Sequence, residues 1–324
     1  MRISSLFFVS PSTDAYENLA RDELILNELP PGCVVLYLYI NQNAVIIGRN
    51  QNPHMECDLD RMDADGVQLV RRVSGGGAVY HDAGNLNYSF IASREIYDDQ
   101  RQNSVILSAL SSFGISAEVS GRNDITFGGR KVSGTAFCQR GNNRQQHGTL
   151  LVSEDLNALP RYLTPSKMKL EAKGIKSVRA RVCNLNEIEP ELTVNKLEKA
   201  LFDAFEREYG SIHPYPTDAD FDDRLARLKS ERMSREWRMG ESPRYDIEFE
   251  KRLSFGLVRL CLNVVRGEIT ICRTFSDCLD EELPQQISAA LTGTGFNKSA
   301  MIKALEPLSD RAEELIEWIR DLSI

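Results

Sequence analysis

The sequence has no apolar run approaching the roughly 18 residues that a membrane span requires. Its opening stretch, MRISSLFFVSPSTDAYENLARDEL, carries a short apolar patch, lacks the long hydrophobic region of a secretion signal and soon turns acidic and helical. No membrane association is therefore expected, and a cytoplasmic location is. Cysteines are few and scattered: seven, at 33, 57, 138, 183, 261, 272 and 278, with no Cys-x-x-Cys pair. In a chain of 324 residues that pattern points to reduced thiols, not to a disulfide framework. Only four histidines occur (54, 81, 147 and 213), none at ligand spacing, so no zinc site is expected. An excess of positive charge is missing too. The net charge of −8 argues against a general nucleic-acid binder. Basic residues do gather in KMKLEAKGIKSVRAR (167–181), either as a solvated face or as a patch for an acidic partner or a phosphate.

What is present reads as a soluble globular protein, 42% apolar and 27% charged, long enough for two domains. AYENLARDELILNEL places Leu19, Leu24, Ile25 and Leu29 at helical spacing and stops at Pro30-Pro31-Gly32. CVVLYLYI and AVIIG read as a hairpin of buried strands around NQN. GVQLVRRV and GNLNYSFIAS read as strands, RQNSVILSALSSFGI as a helix closed by Gly114, and QQHGTLLVS as a further strand, His147 opening it. VNKLEKALFDAFEREY (194–209) is amphipathic with helical period, and the stretch from 223 reads as helical until Gly240. GESPR (240–244) looks like a linker, after which strands and then helices begin anew. The expected class is α+β, with mixed, mostly antiparallel sheets and flanking helices, plus a small α+β C-terminal domain. The expected domains are 1–243 and 244–324.

Chemistry concentrates in two stretches. RRVSGGGAVYHDAGN (71–85) puts three glycines between two arginines and a His-Asp pair. A P-loop is excluded, because GxxxxGK[ST] is absent and a strand follows instead of a helix; a Rossmann GxGxxG fails for the same reason. Two readings remain: a tight turn between strands, or a nest of N–H groups for a phosphate. Arg71 and Arg72 alternate to opposite faces of the strand, so at most one points at such a phosphate. GRNDITFGGRKVSGTA (121–136) folds about Gly128-Gly129, and Arg130 and Lys131 face opposite sides of the strand that follows.

Together, RRVSGGGAVYHDAGNLNYSF and GRNDITFGGRKVSGTAF resemble the paired signature motifs of the lipoate–protein ligase A family. AVIIGRNQNP (44–53), HGTLLV (147–152) and KGIKSVRARVCNL (173–185) fit the same resemblance, which spans residues from about 15 to 245. It implies the α+β catalytic fold shared with biotin ligases and related to class II aminoacyl-tRNA synthetases, and the last 80 or so residues resemble the family's accessory domain. It implies an ATP- and Mg2+-dependent ligase that converts free lipoate to lipoyl-AMP. The lipoyl group then passes to a lysine of acceptor lipoyl domains, on E2 subunits of 2-oxoacid dehydrogenases and the H protein of glycine cleavage. A monomer without nucleic-acid partners is expected.

Carried over by motif, the resemblance makes Lys131 the catalytic residue, touching both the lipoate carboxyl end and the nucleotide. It assigns Arg72, Ser74, Gly75, Gly76, Gly77, Ala78, Val79, Tyr80, Asp124, Lys131, Ser133 and Gly134 to ATP and lipoyl-AMP. Lys131, His81, His147 and Gly148 fall to lipoate. Asp124 is a Mg2+ ligand or an anchor for the incoming lysine, and His81 lines the site or orders its loop. Tyr39 and His54 stand where relatives often carry tryptophan, and Cys138 where some carry arginine. An acyl transferase of the same fold would need an activated cysteine, and Cys138 matches neither of its expected placements. Intact Lys131 and Arg72 argue against a non-catalytic binding module.

Overall fold

The computed structural model describes residues 3–121, 123–163, 182–240 and 245–322. The basic stretch 167–181 and residues 241–244 of the expected linker lie outside the described residues. The chain divides into two compact units. The first comprises Met1–Ile46, Pro53–Arg71 and Val79–Arg238; the second comprises Ile47–Asn52, Arg72–Ala78 and Met239–Ile324.

The first unit begins with strand β1 (Ser4–Val9), helix α1 (Ala15–Glu28), β2 (Cys33–Tyr39) and β3 (Ala44–Ile47). Then come β4 (Gln68–Arg71), β5 (Val79–His81), β6 (Asn85–Ser93), α2 (Asp99–Ser111), β7 (Glu118–Ser120), β8 (Asp124–Phe127), β9 (Arg130–Arg140) and β10 (Asn143–Leu151). It closes with α3 (Val194–Tyr209), β11 (Ile212–Pro214), α4 (Phe221–Met233) and α5 (Arg235–Met239). One eight-stranded sheet runs β11-β1-β2-β6-β10-β9-β8-β7. β1 is parallel to both its neighbours, and every other pairing is antiparallel. The mostly antiparallel α+β class expected from sequence is therefore what forms.

Three expectations fail locally. β2 and β3 are not a hairpin: β2 joins the large sheet, while β3 lies between β4 and β5 in a separate three-stranded sheet. Both segments are buried at every residue, so neither has a polar face to select a partner. The connection turns away where Asn43 takes a left-handed conformation (φ 51°) and Asn41 is tied to Asn18 of α1. SSLFFV, passed over as an apolar patch, is β1. The helix expected to run to Gly240 breaks at Ser234, where the backbone leaves helical geometry between α4 and α5.

The two faces of the large sheet differ in chemistry. Leu36, Leu38, Tyr88 and Phe90 pack with Val105, Ile106, Leu201 and Phe205 of α2 and α3 in an apolar core. The other face meets α1, which lies against β6 and β10. Here Asn87, Ser89, Gln145, His147, Asn18 and Asp22 are all buried. Buried polar groups cost free energy unless they are paired, so a fold seldom concentrates them without use. Asp14 caps α1 by accepting the Tyr16 N–H. Arg232 of α4 grips Glu23 of α1 through two contacts of 2.6 and 2.7 Å.

The second unit contains an antiparallel meander, β12 (Ile247–Leu253), β13 (Gly256–Val265) and β14 (Glu268–Ser276). Helices α6 (Leu283–Leu291), α7 (Lys298–Leu305) and α8 (Ser309–Asp321) follow. Val258, Leu260, Leu262, Ile287, Met301 and Leu315 are among the residues of its own core. All seven cysteines are buried thiols, with none in a disulfide. No helix among the described residues is long and apolar enough to cross a membrane.

Candidate active site

Lys131 owes its position to the β8–β9 hairpin. Gly128 (φ 56°) and Gly129 (φ 75°) form the left-handed turn that a two-residue hairpin needs. Lys131 then stands opposite Thr126, and a register shift, in which β9 carries Val132 as an extra residue against the Ile125–Thr126 step, bends β9 beside it. Its ammonium lies 2.7 Å from Asp124 Oδ1, while Arg130 turns the other way to Glu187 at 3.2 Å. Gly134 explains how the lysine can fold back along its strand. A Cβ there would sit 2.7 Å from Lys131 Nζ and 2.8 Å from Cε. The Gly134 N–H donates to Thr149 Oγ1 of β10 at 3.3 Å.

On β10, His147 is the fifth residue of the strand and does not open it. Its Nδ1 lies 3.4 Å from Asp22 Oδ2 of α1, both side chains being buried. Gly148 is required by packing, since a Cβ would meet Gly134 O and Tyr88 Oη, each at 2.5 Å. Tyr88 in turn hydrogen-bonds Thr135 Oγ1 at 2.8 Å. Ser133 is fully buried, with its hydroxyl 3.4 Å from Tyr88 Oη. Across the small sheet, His81 Nδ1 meets Asn41 Nδ2 at 3.0 Å, which links it to Asn18. Tyr80 donates to Asn43 Oδ1 at 2.9 Å and stacks on Tyr162 with centroids 5.7 Å apart. Burial and the carboxylates around it push the Tyr80 hydroxyl up to about 12.

Arg71 and Arg72 diverge as their alternation requires. Arg71 donates to the carbonyls of Trp237 and Arg238, and burial pushes its guanidinium down to about 10. Arg72, in the second unit, staples the glycine loop: it donates to Ser74 Oγ at 3.1 Å and to the carbonyls of Gly75 and Gly77, both at 2.8 Å. Gly76 has φ 95° and its N–H donates to Cys278 O at 2.8 Å. A Cβ on Gly75 would lie 2.4 Å from Cys278 O. A Cβ on Gly77 would meet nothing within 4 Å.

The first unit thus brings Asp124, Lys131, Gly134, His147 and Gly148 together across β8, β9 and β10. His81 and Tyr80 stand on the small sheet, and Arg72 with the loop Ser74–Ala78 groups in the second unit. Two residues escaped the reading of the sequence. Asp22 left a signal: it occupies a place in the apolar stripe Leu19–Ile25–Leu29, three residues from Leu19 and from Ile25, where a carboxylate is out of keeping. Glu154, in what reads as a polar turn after β10, left none. It is buried, and burial first, then Asp82 and Asp155, push its carboxyl up to about 8. Among the described residues no group of three or more His, Cys, Asp or Glu is arranged to hold a metal ion, so Asp124 brings a single carboxylate to the lysine.

Comparison with known proteins adds the following. Residues 14–206 match the family described as the lipoyl protein ligase A/B catalytic domain, and 242–319 match the bacterial lipoate protein ligase C-terminus. Lipoate-protein ligase A of Psychrobacter cryohalolentis is 38% identical over 324 residues, spanning 97% of this chain and 95% of that protein. The crystal structure of P. falciparum LipL1 in complex with lipoate aligns over 98% of this chain and 100% of its own, with 28% identity and a TM-score of 0.87. A lipoate-protein ligase A crystallised with ATP aligns over 74% of this chain and 99% of its own, with 28% identity and a TM-score of 0.64.

Proposed function

The chain belongs to the lipoyl protein ligase A/B family, and from that premise we propose that it is an ATP-dependent lipoate–protein ligase. It joins free lipoate to AMP, releases pyrophosphate, and passes the lipoyl group to a lysine of an acceptor lipoyl domain, an E2 subunit or an H protein. The observation that carries the reading is Lys131. Its ammonium is laid back over a residue without a side chain and fixed by Asp124 at 2.7 Å. Attack of a carboxylate on an α-phosphate drives two anions together, and a fixed cation between them offsets the repulsion and stabilises the charge of the transition state.

The remaining roles follow from the motifs. Arg72, Ser74, Gly75, Gly76, Gly77, Ala78, Val79 and Tyr80 serve the nucleotide, together with Asp124, Ser133 and Gly134. Because the Ser133 hydroxyl is turned into the core, its part is played by its main chain. His81, His147 and Gly148 line the lipoyl side. Mg2+ arrives with ATP as part of the substrate, where phosphate oxygens and water supply most ligands and Asp124 adds a carboxylate. The two family matches, the first ending at 206 and the second beginning at 242, support a catalytic domain of 1–243 and an accessory domain of 244–324. We place the protein in the cytoplasm as a monomer.

The test is lipoate-dependent exchange of pyrophosphate into ATP. The wild-type chain is expected to catalyse it, and Lys131→Ala to lose at least about 100-fold in rate without a change in melting temperature. Exchange that ignores lipoate, or a Lys131→Ala protein within about tenfold of wild type, would refute the assignment.

A further inference from the structure

Resting on the ligase activity just proposed, we infer that Trp237 is a positioning residue for the nucleotide. By holding the end of β4, it decides which of two adjacent arginines is delivered to the glycine loop.

The need arises in the sequence. Arg71 and Arg72 are neighbours, and on a strand they point to opposite faces. A slip of one residue would exchange them and send the wrong guanidinium to the loop. β4 is poorly equipped to prevent this by itself, having four residues and forming an edge of its three-stranded sheet. Towards β3, the Gln68 N–H donates to Asn43 O at 2.8 Å and the Arg72 N–H to Ile47 O at 3.0 Å. The main-chain groups of Leu69 and Arg71, at the alternate positions, point the other way. Among the described residues no strand pairs with that edge, and two aromatic side chains reach it instead. Tyr16 Oη of α1 donates to Leu69 O at 2.6 Å, and Trp237 Nε1 of α5 donates to Arg71 O at 2.9 Å.

Of the two, Trp237 is the one that tells the arginines apart. Its own carbonyl accepts from Arg71 Nε at 2.9 Å, and the following carbonyl, Arg238 O, accepts from Arg71 Nη2 at 2.8 Å. Main chain and side chain of Arg71 are thus held by one short segment, a reciprocal pairing that Arg72 could enter only if the strand moved by one step. The indole is itself seated. The Arg232 guanidinium lies 4.1 Å from the centroid of its ring, and both carboxylate oxygens of the buried Glu23 grip that guanidinium at 2.6 and 2.7 Å. With Arg71 committed to α5, the next side chain leaves on the opposite face. There Arg72 reaches Ser74 Oγ and the carbonyls of Gly75 and Gly77, at distances between 2.8 and 3.1 Å. Arg71 ends a segment of the first unit and Arg72 begins one of the second, so the register set by Trp237 passes to the loop through a single peptide bond. Tyr16 steadies the same strand edge two residues earlier, at a leucine that has no charge to misdirect.

The experiment takes Tyr16 as its control. Trp237→Phe keeps a ring beneath Arg232 and removes the donor to Arg71 O, while Tyr16→Phe removes the donor to Leu69 O. Each strips a carbonyl of β4 of its side-chain partner and carries that structural cost alike. In lipoate-dependent pyrophosphate exchange by the full chain, Trp237→Phe is expected to raise the KM for ATP at least about tenfold. Its KM for lipoate and its kcat should stay within about threefold of wild type. Tyr16→Phe should leave all three within about threefold. In an Arg72→Lys background, Trp237→Phe should add less than about twofold, because the guanidinium it delivers is gone. An unchanged KM for ATP in Trp237→Phe, a rise shared equally by ATP and lipoate, an equal rise in Tyr16→Phe, or an undiminished effect in Arg72→Lys would each overturn the inference. If Trp237→Phe does not fold, Arg232→Met, which unseats the indole but leaves its N–H, decides the matter. A rise of at least about threefold confined to the KM for ATP supports the inference, and its absence overturns it. Absence of lipoate-dependent exchange in the wild type would instead sink the ligase reading itself.

Discussion

Glu154 is a carboxyl kept out of water. Its Oε2 accepts no hydrogen bond among the described residues, its main chain is tied on both sides to Asn184, and Asp82 and Asp155 crowd it. Burial is the first cause of its shift from the ordinary 4.5 to about 8, and the two aspartates add to it. The folded carboxyl holds its proton where the unfolded one has released it. Its contribution to stability is therefore complete below about 4.5 and is lost as pH rises towards 8. Glu154→Gln keeps the shape without the titration. Relative to that variant, wild type is expected to lose stability with rising pH by on the order of 1 kcal/mol per unit inside the window. Denaturant melts of both proteins at about pH 5.5 and about pH 8.5 check this, and a wild-type-to-variant difference that stays constant between them would rule it out.

At the scale of the element, the glycine loop between β4 and β5 divides its three residues by role. Gly75 and Gly76 are needed by the fold: one approaches Cys278 O too closely for a side chain, the other has φ 95° and crowds Arg72. Gly77 has open space where a Cβ would go and no left-handed angle, so nothing among the described residues demands a glycine there. That is the pattern expected if a ligand lies against Gly77, as the nucleotide does in the proposed reaction. Gly75→Ala is expected to cost about 1–3 kcal/mol of stability through overpacking. Gly77→Ala should leave the melting temperature within about 1 °C and weaken ATP binding roughly tenfold, as calorimetric titration and thermal melts would register. Melting behaviour alike in the two variants would contradict the division. The turn reading of GGG is borne out at Gly75 and Gly76, but which glycines serve the fold was not legible, because it depends on Cys278, some 200 residues away. The same holds for strands. β6, β8, β9 and β10 were evident from turn chemistry and alternation. β1 was not, since its partners are β2 and the distant β11, both parallel, and no hairpin turn announces such a pairing. The apolar sheet face could be anticipated from period alone. The polar face under α1 could not, because Asn18, Asp22 and Asn41 acquire their meaning only from what folds against them.

For the molecule as a whole, the thiols offer a direct measure of integrity. All seven are buried, and burial pushes those of Cys261 and Cys272 up to about 12 and that of Cys278 up to about 11. In native protein fewer than about one thiol per chain should react with a disulfide reagent within minutes, and all seven after denaturation. Rapid native reaction of two or more would contradict their burial. The substrate gives this feature a meaning beyond packing. Lipoate carries its two sulfurs in a strained five-membered ring, an electrophile that any accessible thiolate would open. A protein that holds this ring while its carboxyl end reacts must be chemically silent towards the opposite end. Sequestering every cysteine achieves that: the cofactor is delivered in its oxidised form, and no molecule of enzyme is lost as a mixed disulfide with its own cargo.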